Sequence, residues 1–386
     1  MRNLLCCLYM LIGTNPLSAQ KIIPVFKSGT EGYHTFRIPA IVKWNHTILA
    51  FAEGRVSGSG DFGDVDIVMK TSMDMGKSWS ALQVVASNGR LQAGNPAPVL
   101  DQSDPAFPGG RLFLFYNTGN ASESANRNGK GIREVWYTCS TDGGVSWDKP
   151  VNITTEVHRP NQSGYNAAYH FPEDWRSYAN TPGHAIQIRN GKYAGRIFVA
   201  ANHSAGNPQS HFTDYRAHAF YSDDHGKTFQ LSKNIPIPGS NESMAAELSH
   251  NRLLMNSRNQ RGDIRQRIVS YSSNGGETWD TTYFDPQLID PVCQGSLLAL
   301  GTRKGKRILA FCNPADSLRR NRLTLRISYD EGLSWPVAEQ IETDPSPMAK
   351  DATAYSDIVS LNRHTIGILY ERNQYQEIVF TFRKWK

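Results

Sequence analysis

Short apolar, β-prone runs bounded by Gly, Asn, Asp and Ser recur along nearly the whole chain, and no long stretch holds the 3.6-residue period of an amphipathic helix. Strands are therefore predicted at 48–53, 111–116, 135–139, 196–200, 253–256, 267–271, 296–300, 307–311, 355–361, 366–370 and 377–382. A β-sandwich would need fewer. About 365 residues at roughly 60 per four-stranded sheet predict an all-β fold, a six-bladed β-propeller of antiparallel sheets.

One turn motif sits between these runs five times. Ser-x-Asp-x-Gly-x-Ser/Thr-Trp runs through Ser72, Asp74, Gly76, Ser78 and Trp79, then through Ser140, Asp142, Gly144, Ser146 and Trp147. It returns as Ser222, Asp224, Gly226, Thr228 and Phe229, as Ser272, Asn274, Gly276, Thr278 and Trp279, and as Ser328, Asp330, Gly332, Ser334 and Trp335. Each copy follows a strand-like run, so it closes a hairpin. The Asp folds back on turn amides, the Gly supplies positive φ, and the indole clips the turn to the sheet. The carboxylates stand one per unit without converging, which assigns them to turns and not to a metal. Phe229 and Asn274 depart from the motif and are expected to loosen their turns. Five motifs leave one of six blades without the device, expected to be the blade that joins the two ends of the chain.

The first twenty residues read differently from the rest. Met1-Arg2-Asn3, an apolar run over 4–13 and the small-residue site Leu17-Ser18-Ala19 have the three parts of a secretory signal, with cleavage expected near Ala19 or Gln20. The chain is thus expected to divide into a signal peptide at 1–20 and one catalytic propeller domain at 21–386, placed outside the cytoplasm in the periplasm or the medium. The leader is too short to span a bilayer, and no later segment approaches that length. Cys139, Cys293 and Cys312 remain after cleavage, too few for a disulfide framework. Cys293 and Cys312 flank a hairpin and could face each other, and two buried free thiols are the favoured alternative. The 41 basic residues against 35 acidic ones give a net charge of +6, and loss of Arg2 with the leader lowers it by one. The basic residues are scattered, without the runs or aromatic interleaving of a nucleic-acid binder.

Phe36-Arg37-Ile38-Pro39 near the start of the mature chain, followed by the five boxes in order, resembles the exo-α-sialidases (neuraminidases) of the bacterial and animal superfamily, over residues 22–386. Sialic acid carries a carboxylate on its anomeric carbon. An enzyme that cleaves it needs planar guanidinium forks to hold that group and a nucleophile that does not bring a second negative charge. Sialidases meet the second need with a tyrosine. The resemblance implies a carboxylate clamp of Arg37, Arg258 in Asn256-Ser257-Arg258-Asn259, and Arg320, the last crowded by Arg319 and Arg322. It implies Tyr355 as nucleophile and Glu242 as its base, with Glu247 a competitor that reads better as a strand end. Asp61, on a Gly-rich loop, takes the acid/base role, with Asp64 and Asp66 as rivals. Arg55 is expected at the substituent on the sugar's fourth carbon, Glu371 as the carboxylate that orients Arg37, and Asn95 and Pro96 as candidates for the acyl pocket.

Together these features imply a monomeric, metal-free and cofactor-free retaining exo-α-sialidase acting on sialylated glycans, with no nucleic-acid partner. Transfer to another sugar or to the substrate's own hydroxyl would use the same residues. A non-catalytic sialic-acid-binding propeller would be expected to have lost Tyr355, Glu242 or Asp61, and all three are present.

Overall fold

The computed structural model of the chain describes residues 22–342 and 351–385, so the expected signal peptide lies outside the described residues. The expected all-β fold is there. Thr35–Trp44, Thr47–Arg55, Val65–Ser72 and Gln83–Ala86 form blade 1, and Gln92–Asp101, Arg111–Gly119, Arg133–Ser140 and Val151–Asn152 form blade 2. Blade 3 consists of Ala179–Asn180 and Ile186–Gln187, both paired with Ile197–Ser204, then Tyr215–Ser222 and Gln230–Leu231. Ser240–Glu247 opens blade 4, Ser296–Arg303 blade 5 and Thr353–Asn362 blade 6, each followed outward by antiparallel neighbours. Blade 6 is completed by Ile23–Lys27 pairing with Glu377–Lys384, so the two ends of the chain close the ring. Only short helices interrupt the sheets among the described residues, α-helical at Glu123–Arg127 and Thr154–Val157 and 3-10 at Gly191–Tyr193 and Ser210–Phe212. No helix there is long and apolar enough to cross a membrane.

Alternation along each strand turns one face toward each neighbouring blade, and the core is accordingly six wedges. Phe26, Phe36 and Phe380 pack blade 6 on blade 1; Phe51 and Leu114 pack blade 1 on blade 2; Phe113, Phe115 and Phe220 pack blade 2 on blade 3. Phe198 with Met255, Leu254 with Phe311, and Ile308 with Ile368 fill the remaining three. Cys139 and Cys312 are free and buried in this packing, and Cys293 is free and buried beside Ile38, Ala354 and Tyr355.

Every box joins the third strand of its blade to the fourth, as expected of hairpin turns. In the first, Asp74 Oδ1 accepts from the Ser78 and Lys77 amides at 2.9 and 3.0 Å, while Ser72 Oγ accepts from the Gly76 amide at 2.8 Å. The box also reaches the preceding blade, which the sequence reading missed. A β-carbon on Gly76 would stand 2.1 Å from the Phe380 ring, and one on Gly144 2.7 Å from Leu49, so the glycine is required for closeness as well as for φ. Asn274 does not loosen its turn: its Oδ1 accepts from the Thr278 amide at 3.0 Å, and Nδ2 donates to Thr278 Oγ1 at 2.9 Å. Phe229 keeps the ring function by packing edge-on against Phe115 at 5.8 Å.

Candidate active site

The first strands of four blades break register near one end of the propeller axis: between Arg37 and Ala40, Gly94 and Ala97, Ser240 and Ser243, and Thr353 and Ser356. Bulges re-aim side chains. These four aim Arg37, Asn95, Glu242 and Tyr355 into a cleft of about 180 Å³ that also takes Arg55, Asp61, Arg258 and Arg320. All seven residues expected to touch the sugar therefore line one cleft. A larger cavity of about 370 Å³ opens where the same strands end on the opposite face, and it contains none of them.

Ile38 shows how tightly Arg37 is held. Its φ is 60°, a left-handed conformation disfavoured by its branched side chain and by the proline that follows. The buried Glu371 carboxylate fixes it: Oε1 accepts from the Ile38 amide at 2.9 Å and from Arg37 Nε at 3.0 Å. Its Oε2 accepts from Arg37 Nη2 at 3.2 Å and from the Tyr355 amide at 3.0 Å. One carboxylate thus sets both the arginine fork and the backbone of Tyr355. Burial opposes the Arg37 charge, but Glu371, Tyr375 and Tyr355 outweigh it and raise the guanidinium above its usual value.

The Tyr355 hydroxyl donates to Glu242 Oε1, while Arg258 Nη1 donates to Glu242 Oε2 at 2.7 Å and to the Tyr355 oxygen at 3.0 Å. Burial and the Glu242 charge push the phenol well above 10, with Arg258 and Arg320 opposing. It therefore keeps its proton at rest and has a carboxylate in place to receive it. Arg320 faces the same ring at 5.6 Å and donates to the Tyr375 hydroxyl at 3.1 Å. Of its neighbours, Arg322 is mostly exposed and turned toward Asp316, and Arg319 does not line the cleft.

Asp61 lies on the loop between Thr47–Arg55 and Val65–Ser72, with its side chain 69% exposed. Its Oδ1 stands 2.9 Å from Arg55 Nη1 and 3.5 Å from Arg37 Nη1. Desolvation in the cleft raises this carboxyl, yet Arg55 and Arg37 together outweigh that and hold it below the ordinary range. Arg55 is buried and anchored by Glu53 Oε2, which accepts from its Nε at 3.0 Å and its Nη2 at 2.6 Å. The rivals are engaged elsewhere. Asp66 accepts from the Tyr33 hydroxyl, and Glu247 closes its strand at the far end of the axis, bound by Asn190 and Arg307.

Two participants escaped the sequence reading. Glu53 was legible, because residues two apart on a strand share a face and Glu53 and Arg55 are so spaced. Tyr375 was not: its ring lies 4.1 Å from the Arg37 guanidinium, yet it comes from an outer turn of blade 6 with nothing in sequence to tie it to blade 1. Of the acyl-pocket candidates, Asn95 lines the cleft and Pro96 does not. Among the described residues, Asp101, Asp104 and His225 gather ligand-type atoms, but they lie outside the cleft and are already bonded to Gln187, Arg111 and one another.

A model of the BNR repeat-like domain matches residues 46–368. A sialidase of Micromonospora viridifaciens is 30% identical over 93% of this chain, which covers 53% of that protein, so the chain spans about half the length of this relative. Two solved structures share the fold over 94% of the chain. A Hadza microbial sialidase, Hz136, has a TM-score of 0.77 at 24% identity and is covered over 68% of its length. The intramolecular trans-sialidase of Ruminococcus gnavus has a TM-score of 0.73 at 16% identity and is covered over 97%.

Proposed function

The chain belongs to the BNR repeat-like domain family, and on that premise we propose that it is a retaining exo-α-sialidase that releases terminal α-linked sialic acid from glycoproteins, glycolipids and oligosaccharides. One observation carries the reading: a buried tyrosine hydroxyl donating to a glutamate, below three arginines that converge from blades 1, 4 and 5. That grouping is not a packing arrangement, since the phenol, the Glu242 carboxylate and the Arg258 guanidinium form a single hydrogen-bonded network, with Arg37 and Arg320 over the same ring.

In this mechanism Arg37, Arg258 and Arg320 bind the sugar carboxylate and set the anomeric carbon over Tyr355. Glu242 takes the phenolic proton as the tyrosine oxygen bonds to that carbon, and the bond to the leaving oxygen breaks as Asp61 protonates it. In the second half Asp61 takes a proton from water, the water oxygen bonds to the anomeric carbon, and the tyrosine oxygen leaves and recovers its proton from Glu242. A neutral phenol suits the task because a carboxylate nucleophile would meet the substrate's own negative charge. Relatives named sialidase support this reading. The leader-like start supports an extracytoplasmic location as part of the same proposal.

The test is Tyr355→Phe, assayed on a fluorogenic α-sialoside. The variant is expected to fold and bind sugar while losing turnover by several orders of magnitude, since the covalent path is removed and not merely one hydrogen bond of about 1 kcal/mol. Near-normal turnover in the folded variant would remove Tyr355 from the chemistry.

A further inference from the structure

Tyr375 touches two of the three clamp arginines without lining the cleft itself. Its ring faces Arg37, with the guanidinium carbon 4.1 Å from the ring centroid, and its hydroxyl oxygen accepts from Arg320 Nη1 at 3.1 Å. The two contacts use different parts of one phenol. The π face carries partial negative charge that attracts a cation, and the oxygen lone pair takes a hydrogen bond. Burial pushes this phenol up to about 12, so it is neutral at physiological pH and brings no formal charge to either arginine. A carboxylate in its place would hold both guanidiniums and compete with the anion they bind.

The three arginines are not held alike. Both oxygens of Glu371 hold Arg37, and Glu242 accepts from Arg258 at 2.7 Å, whereas Arg320 stands 3.9 Å from the partly exposed Asp351. Among the described residues the shortest side-chain hydrogen bond of Arg320 is the one to Tyr375, and its Nη2 reaches the Val292 carbonyl at 3.4 Å.

The turn that carries Tyr375, between Thr365–Arg372 and Glu377–Lys384, is built against local preference. Asn373, Gln374 and Tyr375 have φ of 51°, 53° and 67°, three residues other than glycine in succession in the left-handed region. Such a run is costly and persists only where its surroundings impose it. Here the Asn373 and Gln374 amides donate to the Ala352 and Asp351 carbonyls, each at 3.0 Å, and the next amide of that segment, Thr353, donates to the Arg320 carbonyl at 3.0 Å. On the other side the Ser28 hydroxyl donates to the Tyr375 carbonyl at 2.8 Å, and its oxygen accepts from the Phe36 amide, beside Arg37, at 3.3 Å. The strained turn is thus pinned to the backbone at both arginines.

We infer that Tyr375 is a positioning residue that couples Arg37 and Arg320 into one carboxylate clamp, its ring holding the first guanidinium and its hydroxyl the second. The inference rests on the sialidase reading above, in which these arginines bind the sugar carboxylate. Two guanidiniums aimed at one anion repel each other until it arrives, and a neutral phenol in contact with both lowers that repulsive cost while leaving their charges for the ligand.

The experiment measures kcat, KM and Tm for Tyr375→Phe, Tyr375→Leu, Arg320→Met and the Tyr375→Phe/Arg320→Met double variant on an aryl α-sialoside. Tyr375→Phe keeps the ring on Arg37 and loses only the hydroxyl. It is expected to raise KM about tenfold with kcat within about twofold, since the carboxylate is held alike in the ground and transition states. In the Arg320→Met background the same change should lower kcat/KM by less than about twofold, because the donor to that hydroxyl is already gone. Folded Tyr375→Leu, which loses the ring as well, should raise KM at least about threefold beyond Tyr375→Phe. A residue that only packs would lower Tm and leave KM in place. Unchanged KM in folded Tyr375→Phe, the same loss with and without Arg320, or equal KM in the two Tyr375 variants would overturn the inference and leave the sialidase reading standing. No turnover by the wild-type chain would overturn the sialidase reading and this inference with it.

Discussion

At the residue scale, the resting position of Asp61 determines how activity should depend on pH. In the free chain Arg55 and Arg37 hold its carboxyl below the ordinary range, so it is ionised where a proton donor is needed. In the proposed mechanism a bound substrate carboxylate takes up Arg37 and brings its own negative charge beside Asp61, and both changes would raise the pKa. The parameter kcat/KM reports the free enzyme and kcat the complex. The alkaline fall in kcat is therefore expected at higher pH than the alkaline fall in kcat/KM. Both should flatten in Asp61→Ala on an aryl glycoside, whose leaving group needs little protonation. Coincident limbs in the wild type would contradict the account. The residues themselves were legible in sequence where a motif or short spacing carried them, as with Arg37 beside Ile38 and Pro39. Partners contributed by distant blades were not, and Tyr375 is of that kind: nothing local marks a tyrosine in a turn of blade 6 as facing Arg37.

At the scale of the element, the box is a device for joining blades. Its Ser and Asp side chains close the turn, and its Gly and aromatic ring seat the turn on the preceding blade: Trp79 meets Phe380 edge-on at 5.5 Å, and Trp147 meets Phe51 at 6.1 Å. Asp142 Oδ1 and Oδ2 both accept from the Ser146 amide, and Asp142 also accepts from the Ser140 hydroxyl at 2.8 Å. Asp142→Ala removes these bonds far from the cleft. It is expected to lower Tm by a few degrees while kcat stays unchanged, as checked by calorimetry beside steady-state kinetics. A collapse of kcat at unaltered Tm would give the box a role in chemistry. The turn was legible because its bonds are local in sequence. Its contact with the preceding blade was not, since Gly76 and Phe380 lie far apart in the chain.

At the scale of the whole molecule, blade count and closure followed from repeat number and length, because each repeat is one sheet and five boxes leave one blade to be shared by the ends. The joint is Ile23–Lys27 on Glu377–Lys384, with Phe26 fully buried and its ring 5.3 Å from Phe36 of blade 1. Phe26→Ala is expected to cost about 3–5 kcal/mol in denaturant unfolding, more than loss of one surface turn, because it opens the wedge that closes the ring. A loss below about 1 kcal/mol would mean that the joint contributes little. In the proposed mechanism closure also brings Tyr355 of blade 6 beneath the sugar and Asp61 of blade 1 to the leaving oxygen, and that opposition would fix the stereochemistry. Attack by Tyr355 inverts the anomeric carbon, and water entering on the vacated face inverts it again. The most direct measurement is time-resolved proton NMR of an α-sialoside during turnover. The account predicts α-sialic acid as the first free sugar, later mutarotating to β, and β-sialic acid as the initial product would contradict it.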